Sequence, residues 1–246
     1  MNSEQHSITK SVILHLLPGL LVFIFFILLT PVLREEGFPS VFTLLIAVIF
    51  ILIPFELGYL FYLGKKKNGE LSLKGIVLFR EKIPIWQYIL LAPILVIWGF
   101  LIAAFVSSHI DEFLLTHIFF WLPDWFYVDE ISKNLASYSK TIIYITLIFG
   151  LIMNGFLGPI VEELYFRGYL LPRISRFKGW APLINTVLFS LYHFFTPWQN
   201  PTRILGVLPM VYVVIWKKNI YLGIFTHCLM NIIATISMIV YVFGKL

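Results

Sequence analysis

Three short segments in the second half of the chain carry side chains suited to acid–base chemistry. The first places Glu162, Glu163 and Arg167 at the end of a long apolar run. Adjacent residues of a helix point about 100° apart, so the two glutamates cannot share one role. Glu163 can pair with Arg167 four residues later, which leaves Glu162 free to act as a general base. Taken alone, the pattern also suits a helix end with solvated acids and a snorkelling arginine.

The other two segments place histidines inside apolar runs. Asn185, Phe189 and His193 follow one another at intervals of four residues and share one helix face, as do His227 and Asn231. Each set alone also suits hydrogen bonding between packed helices. Together with the glutamates, however, these are the residue types that activate water and stabilise an oxyanion without a nucleophilic serine or aspartate.

Several other hydrolytic classes lack their signature residues. No aspartate lies in an apolar run, which argues against an intramembrane aspartyl protease. The His-Glu-x-x-His motif of zinc proteases is missing, and Ser190 is not part of a Gly-x-Ser-x-Gly turn. The single cysteine, Cys228, allows neither an internal disulfide nor a thiolate metal cluster.

These segments lie in a chain with the composition of a membrane protein. Of its 246 residues, 59% are hydrophobic and 13% are charged, against about 45–50% and about 25% in typical soluble domains. Soluble enzymes, nucleic-acid-binding proteins and disordered chains are thereby excluded. Continuous apolar runs differ from the alternating pattern of a barrel. The sequence therefore predicts an all-α fold, a polytopic bundle of membrane helices.

Seven apolar runs are candidates for spans, with the catalytic core in the C-terminal ones. Their bounds are 12–33, 41–63, 83–106, 141–161, 180–198, 204–216 and 221–243. The sixth is short, so we expect about seven spans, seven or eight. The stretch 107–140 is polar and aromatic, suits the membrane interface, and holds all three aspartates, Asp111, Asp124 and Asp129.

The distribution of basic residues predicts the topology. With a cytoplasmic N-terminus, 12 or 13 of the 18 lysines and arginines lie inside, as the positive-inside rule requires. We expect a single membrane domain in which residues 1–140 form N-terminal spans and an interfacial loop, and residues 141–246 form the catalytic core. The compact chain favours a bacterial plasma membrane protein. The basic loop 65–82 is expected to meet anionic lipid headgroups, whereas Glu56 in the second span has no derivable role.

The ordered set of motifs over residues 141–240 resembles the CAAX protease and bacteriocin-processing family (CPBP, or Abi). Members of that family are intramembrane glutamic endopeptidases and include the eukaryotic Ras-converting CAAX prenyl protease. The motifs that carry the resemblance are Glu162-Glu163-x-x-x-Arg167, Phe189-x-x-x-His193 and His227-x-x-x-Asn231.

The resemblance implies a role for each motif residue. Glu162 would be the base that activates water, and His193 would hold or polarise that water. His227 and Asn231 would form the oxyanion site. Glu163, with its arginine partner at 167, would support the geometry of the motif helix.

Metal dependence stays open at the level of the sequence. Glu162, His193 and His227 would also make a zinc site with one open position. The only obvious carboxylate to support the histidines from behind is Glu163. We therefore expect water activation by Glu162 and assign no metal or other cofactor, with zinc as the alternative.

Three functions compete for this set of residues. The first is an intramembrane endopeptidase that acts on a peptide or protein substrate at the membrane, CAAX-type or other, with lipids and no nucleic acid as further partners. The second is a non-proteolytic immunity or scaffold protein of the same fold. The third is a small-molecule transporter with Glu56, Glu162 and the histidines in a proton relay, against which the lack of an internal repeat weighs.

The alternation of straight spans creates one conflict. Glu162 would fall towards the inner side of the membrane and His193 towards the outer side. The two can meet if the fourth helix is broken near Gly155, Gly158 and Pro159, or if the fifth helix sits low. We predict the break, because Gly and Pro are the usual causes of kinks.

Overall fold

The computed structural model describes residues 4–128 and 135–245, which are mostly helical and contain no β-strand. Asp129 lies outside these described ranges. The short 3₁₀ helices are Asp124–Phe126, Leu135–Ser137 and Pro197–Gln199. The longer helices of the described ranges are α1 (Ile8–Glu35), α2 (Ser40–Asn68), α3 (Ile85–His117), α4 (Lys140–Phe177), α5 (Trp180–Tyr192), α6 (Asn200–Lys217) and α7 (Ile220–Phe243).

Five helices of the described ranges, α1 to α4 and α7, are long and apolar enough to cross a membrane. Helix α5 has only 13 residues and rises roughly 20 Å, less than the roughly 30 Å of a hydrocarbon core. The predicted all-α polytopic membrane bundle is therefore confirmed, but the count of seven spans is not. The cytoplasmic N-terminus and the division at residue 140 stay predictions.

The fifth and sixth runs differ from their predicted lengths. The fifth helix ends at Tyr192 instead of continuing to 198, and the sixth covers 18 residues instead of the expected 13. Pro197 explains part of this, because a residue before proline is pushed out of the helical range, and Thr196 has φ −141° and ψ 59°. Pro201 then lies in the first turn of α6, where its missing N–H leaves no gap.

Three helices contain π-helical segments, in which each hydrogen bond spans one residue more than in an α-helix. They are Val48–Leu57 in α2, Ala103–Asp111 in α3, and both Met153–Leu157 and Glu163–Leu170 in α4. Helix α4 then ends as a 3₁₀ helix over Leu171–Phe177. In α3 the helix continues past the predicted end at 106 and includes Asp111, so the expectation that no span contains an aspartate is wrong for this helix. The break expected near Gly155, Gly158 and Pro159 takes the form of the π-helical segment Met153–Leu157, and the backbone stays helical through it.

Close contacts hold α1 and α5 against α4, the helix that carries Glu162. Asn185 on α5 donates to His15 Nε2 on α1 (3.0 Å) and to the main-chain oxygen of Phe166 on α4 (3.1 Å). Gly19 on α1 packs directly against the backbone of Tyr192 at the end of α5. This close approach requires glycine, since a Cβ would overlap the Tyr192 main-chain oxygen. The position of residue 193 therefore depends on α1.

We expect Gly19→Ala to destabilise the protein by about 1–3 kcal/mol, the usual effect of overpacking a tight contact. The reason is the overlap with Tyr192, and the measurement is thermal unfolding of the purified protein in detergent. The matched control is Gly58→Ala, because Gly58 is an exposed helical position with nothing within 4 Å of an added Cβ. Equal midpoints for the two variants would contradict the packing assigned to α1 and α5.

Candidate active site

Three side chains from different parts of the bundle meet around one carboxylate. Glu162 lies on α4, His193 directly follows α5, and His227 lies on α7. Glu162 Oε1 is 4.0 Å from His193 Nε2, and Glu162 Oε2 is 3.9 Å from His227 Nε2. Each imidazole therefore faces its own oxygen of the same carboxylate.

The end of helix α5 orients His193. The residue leaves the helical range, with φ −81° and ψ 59°, and its Nδ1 atom lies 2.8 Å from the main-chain oxygen of Phe189. A carbonyl oxygen only accepts hydrogen bonds, so Nδ1 carries the proton of the neutral ring. His193 Nε2 is thus an acceptor that faces Glu162.

Glu163 holds His227 from behind. Its Oε1 atom lies 3.1 Å from His227 Nδ1 and 3.2 Å from a guanidinium nitrogen of Arg167. A Cβ at position 223 would lie 2.9 Å from Glu163 Oε2, so Gly223 on α7 leaves room for this carboxylate. Because Nδ1–H of His227 donates to Glu163, Nε2 can donate towards the cavity only in the doubly protonated ring.

The buried Arg167 has an ion pair and aromatic contacts. Arg167 and Glu163 are both fully buried, and the ion pair along α4 is the one expected from their spacing. The guanidinium carbon lies 4.0 Å from the centroid of the Phe189 ring, a favourable cation–π arrangement. No described residue offers Arg167 a well-directed hydrogen bond. The guanidinium therefore depends on Glu163 and on the aromatic faces.

Tyr192 is a site residue that the sequence analysis did not single out. Its hydroxyl donates to Glu162 Oε1 over 3.3 Å, and its ring packs edge-on against His193 with centroids 4.6 Å apart. A tyrosine that directly precedes a motif histidine in an apolar run forms no spacing pattern that would mark it as a site residue. Only the end of α5 turns the tyrosine towards the carboxylate.

Asn231 lines the same cavity, and its described hydrogen bonds go to none of Glu162, His193 and His227. Its Nδ2 atom donates to the main-chain oxygen of Asn154 over 2.9 Å, and Asn154 Oδ1 lies 3.4 Å away. Asn154 belongs to the π-helical segment Met153–Leu157. This segment therefore fixes the amide of Asn231, a contact that the sequence motifs did not predict.

The four motif residues line a cavity of about 590 Å³ whose walls are otherwise mainly apolar. Helices α2, α3, α6 and α7 supply much of the apolar wall, including Leu45, Leu52, Leu95, Val207, Met210 and Met230. Cavities of this size with a few convergent polar groups are typical of ligand sites. The N-terminal spans thus contribute to the site although they carry none of the motifs.

The length of α5 explains how Glu162 and His193 can meet, although straight spans would place them towards opposite sides of the membrane. The helix begins just after the basic residues Arg173, Arg176 and Lys178 and ends roughly 20 Å away. A helix of this length that starts at one membrane surface ends inside the roughly 30 Å hydrocarbon core and short of its far side. Both the π-helical segment of α4 and the short α5 contribute to the meeting of Glu162 and His193.

Glu56 lies outside this site. It is fully buried on α2, it does not line the active-site cavity, and the described residues offer its carboxylate oxygens no hydrogen-bond partner. No ion pair with a basic residue is found for it in the described ranges. Glu56 interacts electrostatically with Glu162 and Arg167, but no described hydrogen bond connects it to the cavity.

The spacing of the three motif groups can be compared with the needs of a metal ion. Two ligands at 2.0–2.1 Å from a tetrahedral zinc ion lie about 3.3–3.4 Å apart, whereas the carboxylate oxygens lie 4.0 Å and 3.9 Å from the imidazole nitrogens. The described residues contain no group of three arranged to hold a metal ion. One water with hydrogen bonds of about 2.8 Å spans 4.0 Å at an angle of about 90°. The geometry fits a shared water better than a shared zinc ion.

A carboxylate and two imidazoles thus meet inside a bundle of apolar helices, an arrangement suited to acid–base chemistry. Residues 144–233 match the family model described as type II CAAX prenyl endopeptidase Rce1-like. The resemblance to the CPBP family is thereby confirmed for the part of the chain that carries the three motifs. No curated protein and no solved structure matches. At the level of the family, the match supports an intramembrane endopeptidase.

We expect Glu163→Gln to destabilise the protein by about 3–5 kcal/mol, because it leaves the buried Arg167 without its counter-ion. The double variant Glu163→Gln/Arg167→Met removes both charges and is expected to unfold at a higher temperature than the single variant. Thermal unfolding in detergent measures both.

The control for this pair is Glu81→Gln. Glu81 pairs with Lys218 over 3.5 Å, but both side chains are more than half exposed, so the expected loss is at most about 1 kcal/mol. A double variant less stable than Glu163→Gln alone would contradict the assigned pairing.

Proposed function

We propose that the protein is a metal-independent intramembrane endopeptidase that hydrolyses a peptide bond of a membrane-associated substrate. The observation that carries the proposal is the placement of Glu162 between His193 and His227, with room for one water beside the carboxylate. The family match supports the same class of reaction.

In the proposed first step, a water lies between Glu162 Oε1 and His193 Nε2 and donates to both. Glu162 takes one proton while the water oxygen attacks the carbonyl carbon of the substrate. The carbonyl π-bond opens, and its electron pair moves to the oxygen. Tyr192 donates to the same carboxylate oxygen and so fixes its direction.

The oxyanion of the tetrahedral intermediate is proposed to bind His227 and Asn231. His227 donates through Nε2 in its doubly protonated form, while Glu163 accepts from Nδ1. Asn231 donates through one N–H of its amide, which gives up its longer contact with Asn154 Oδ1 (3.4 Å) while the other N–H stays on the Asn154 main-chain oxygen (2.9 Å). Preorganised donors of this kind stabilise the developing charge in a water-poor site.

Collapse of the intermediate completes the proposed reaction. The carbonyl bond re-forms, the C–N bond breaks, and the proton held by Glu162 passes to the leaving amine nitrogen. The products are a carboxylic acid and an amine, and the carboxylate of Glu162 is regenerated. The largely apolar cavity wall suits a substrate segment that is apolar or lipid-modified. We propose that this activity resides in a bacterial plasma membrane. The count of basic residues supports an N-terminus in the cytoplasm.

We expect Glu162→Gln to lower peptide cleavage by about 10²–10⁴-fold, because glutamine accepts no proton from the attacking water. The measurement uses purified protein in detergent with fluorescence-quenched peptides, with and without a C-terminal prenyl group. Treatment of the wild-type protein with a chelator is expected to leave the rate unchanged.

The matched control is Glu70→Gln, an exposed glutamate in the loop after α2, which is expected to cleave at the wild-type rate. Full turnover by Glu162→Gln would exclude the proposed base. Inhibition by the chelator that added zinc reverses would exclude the metal-independent form. A cellular phenotype that survives Glu162→Gln and His193→Ala would favour the non-proteolytic scaffold.

We expect Asn231→Ala to lower kcat by about 10²–10³-fold, the usual effect of one lost oxyanion donor. The unfolding midpoint should change little, because the side-chain amide of Asn231 forms hydrogen bonds only with Asn154 among the described residues. Steady-state kinetics beside thermal unfolding measures the two effects separately. A change in KM at constant kcat would instead assign Asn231 to substrate binding.

A further inference from the structure

A second cavity of about 780 Å³ shares no lining residue with the active-site cavity. It lies between the start of α1, the end of α2, the loop that follows α2, and the last turns of α4. Four basic side chains line it, and Glu4 is the one acid among its lining residues. The basic residues are Lys10, Lys66, Lys67 and Arg173.

Glu4 offsets part of the charge of Arg173, but the four basic residues outnumber this one acid, so the cavity keeps an excess of positive charge. No carboxylate of the described ranges forms an ion pair with any of the four basic side chains. Lys67 donates to the main-chain oxygen of Gly75 over 2.9 Å, and the side chains of Lys10 and Lys66 have no partner among the described residues. An anion in the cavity would meet cations whose charge is available to it.

Arg173 is held in place at the wall of this cavity. It is 9% exposed, and one terminal nitrogen donates to the main-chain oxygens of Tyr169 (2.7 Å) and Ile76 (3.2 Å). Its guanidinium carbon lies 3.9 Å from the centroid of the Tyr169 ring. The other guanidinium nitrogens have no described partner. A fixed and nearly buried guanidinium of this kind is suited to bind a phosphate oxygen.

His6 supplies a second buried group at the cavity. It is 2% exposed, its Nε2 atom lies 3.5 Å from the Tyr169 hydroxyl, and its Nδ1 atom has no partner among the described residues. Burial, then Lys10 and Arg173, lower the pKa of His6 from 6.5 to about 4, so the ring is neutral at pH 7. In the tautomer that carries its proton on Nδ1, the ring offers a donor without a described partner at the cavity wall.

We propose that this cavity binds a phosphate group, and that its source is the headgroup of an anionic phospholipid. Lysine, arginine, tyrosine hydroxyl and imidazole N–H are the donors that bind phosphate oxygens. The cavity begins where the membrane-spanning α2 ends in Lys65, Lys66 and Lys67, at the depth where headgroups lie. Basic pockets beside membrane helices are typical sites for such lipids.

A bound headgroup would join parts of the chain that are distant in sequence. Lys10 lies on α1, Lys66 on α2 and Arg173 on α4, the helix that also carries Glu162. One anion that contacts all three would hold the N-terminal segment and the end of α2 against the motif helix. Binding is therefore expected to raise the unfolding temperature by mass action.

The test uses the purified full-length protein in a neutral detergent and three soluble probes: dihexanoyl phosphatidylglycerol, dihexanoyl phosphatidylcholine and inorganic phosphate. Phosphatidylglycerol is expected to raise the unfolding midpoint in a saturable way, and phosphatidylcholine to leave it unchanged. A saturable shift with inorganic phosphate alone, and none with phosphatidylglycerol, would overturn the lipid source.

Two double variants lose the same number of positive charges. Their comparison distinguishes an effect of the cavity residues on binding from an effect of the protein's net charge. Lys10→Gln/Lys66→Gln removes two cavity lysines that make no side-chain hydrogen bond, and is expected to weaken phosphatidylglycerol binding at least 10-fold. Lys65→Gln/Lys74→Gln removes two exposed lysines that do not line the cavity, and is expected to bind like the wild type. Equal weakening in both variants, or in neither, would overturn the proposed site.

Discussion

The arrangement of the bundle depends on placing two adjacent glutamates inside a membrane. An ionised side chain at the centre of a span costs on the order of 2.5–3.5 kcal/mol on insertion scales, so the surrounding helices must compensate both. The chain does so unequally. Glu163 is fully buried between Arg167 and His227, whereas Glu162 borders the cavity and meets Tyr192 and two imidazole nitrogens.

This unequal compensation follows from helix geometry and separates the roles of the two acids. The offset of about 100° between adjacent residues sends one carboxylate into the packed side of the bundle and the other into the cavity. The packed carboxylate fixes the tautomer and direction of His227, as carboxylates behind functional histidines commonly do. The open carboxylate keeps room for a water. One pair of neighbouring residues therefore yields both a support and a reactive group.

The sequence predicted which motif residues lie close together better than it predicted the residues that surround them. The pairing of Glu163 with Arg167 and the shared helix face of His227 and Asn231 follow from local spacing, so both could be read from the chain. The contacts of Tyr192 and Asn154 could not, because they depend on where α5 stops and on a π-helical segment. Asn185 was on the expected face, but packing directs it to His15 and away from the cavity.

The early end of α5 is what opens the cavity beside Glu162. Irregular backbone at membrane depth is tolerated only where it is buried in protein or lines a cavity, and residues 193–199 meet this condition with internal bonds. Arg203 on α6 contributes, since it donates to Thr196 Oγ1 over 2.8 Å and lies 3.5 Å from the main-chain oxygen of Ser190. A cation at a helix C-terminus also complements the helix dipole. Arg203 therefore stabilises the helix end that leaves His193 Nε2 free to face the carboxylate.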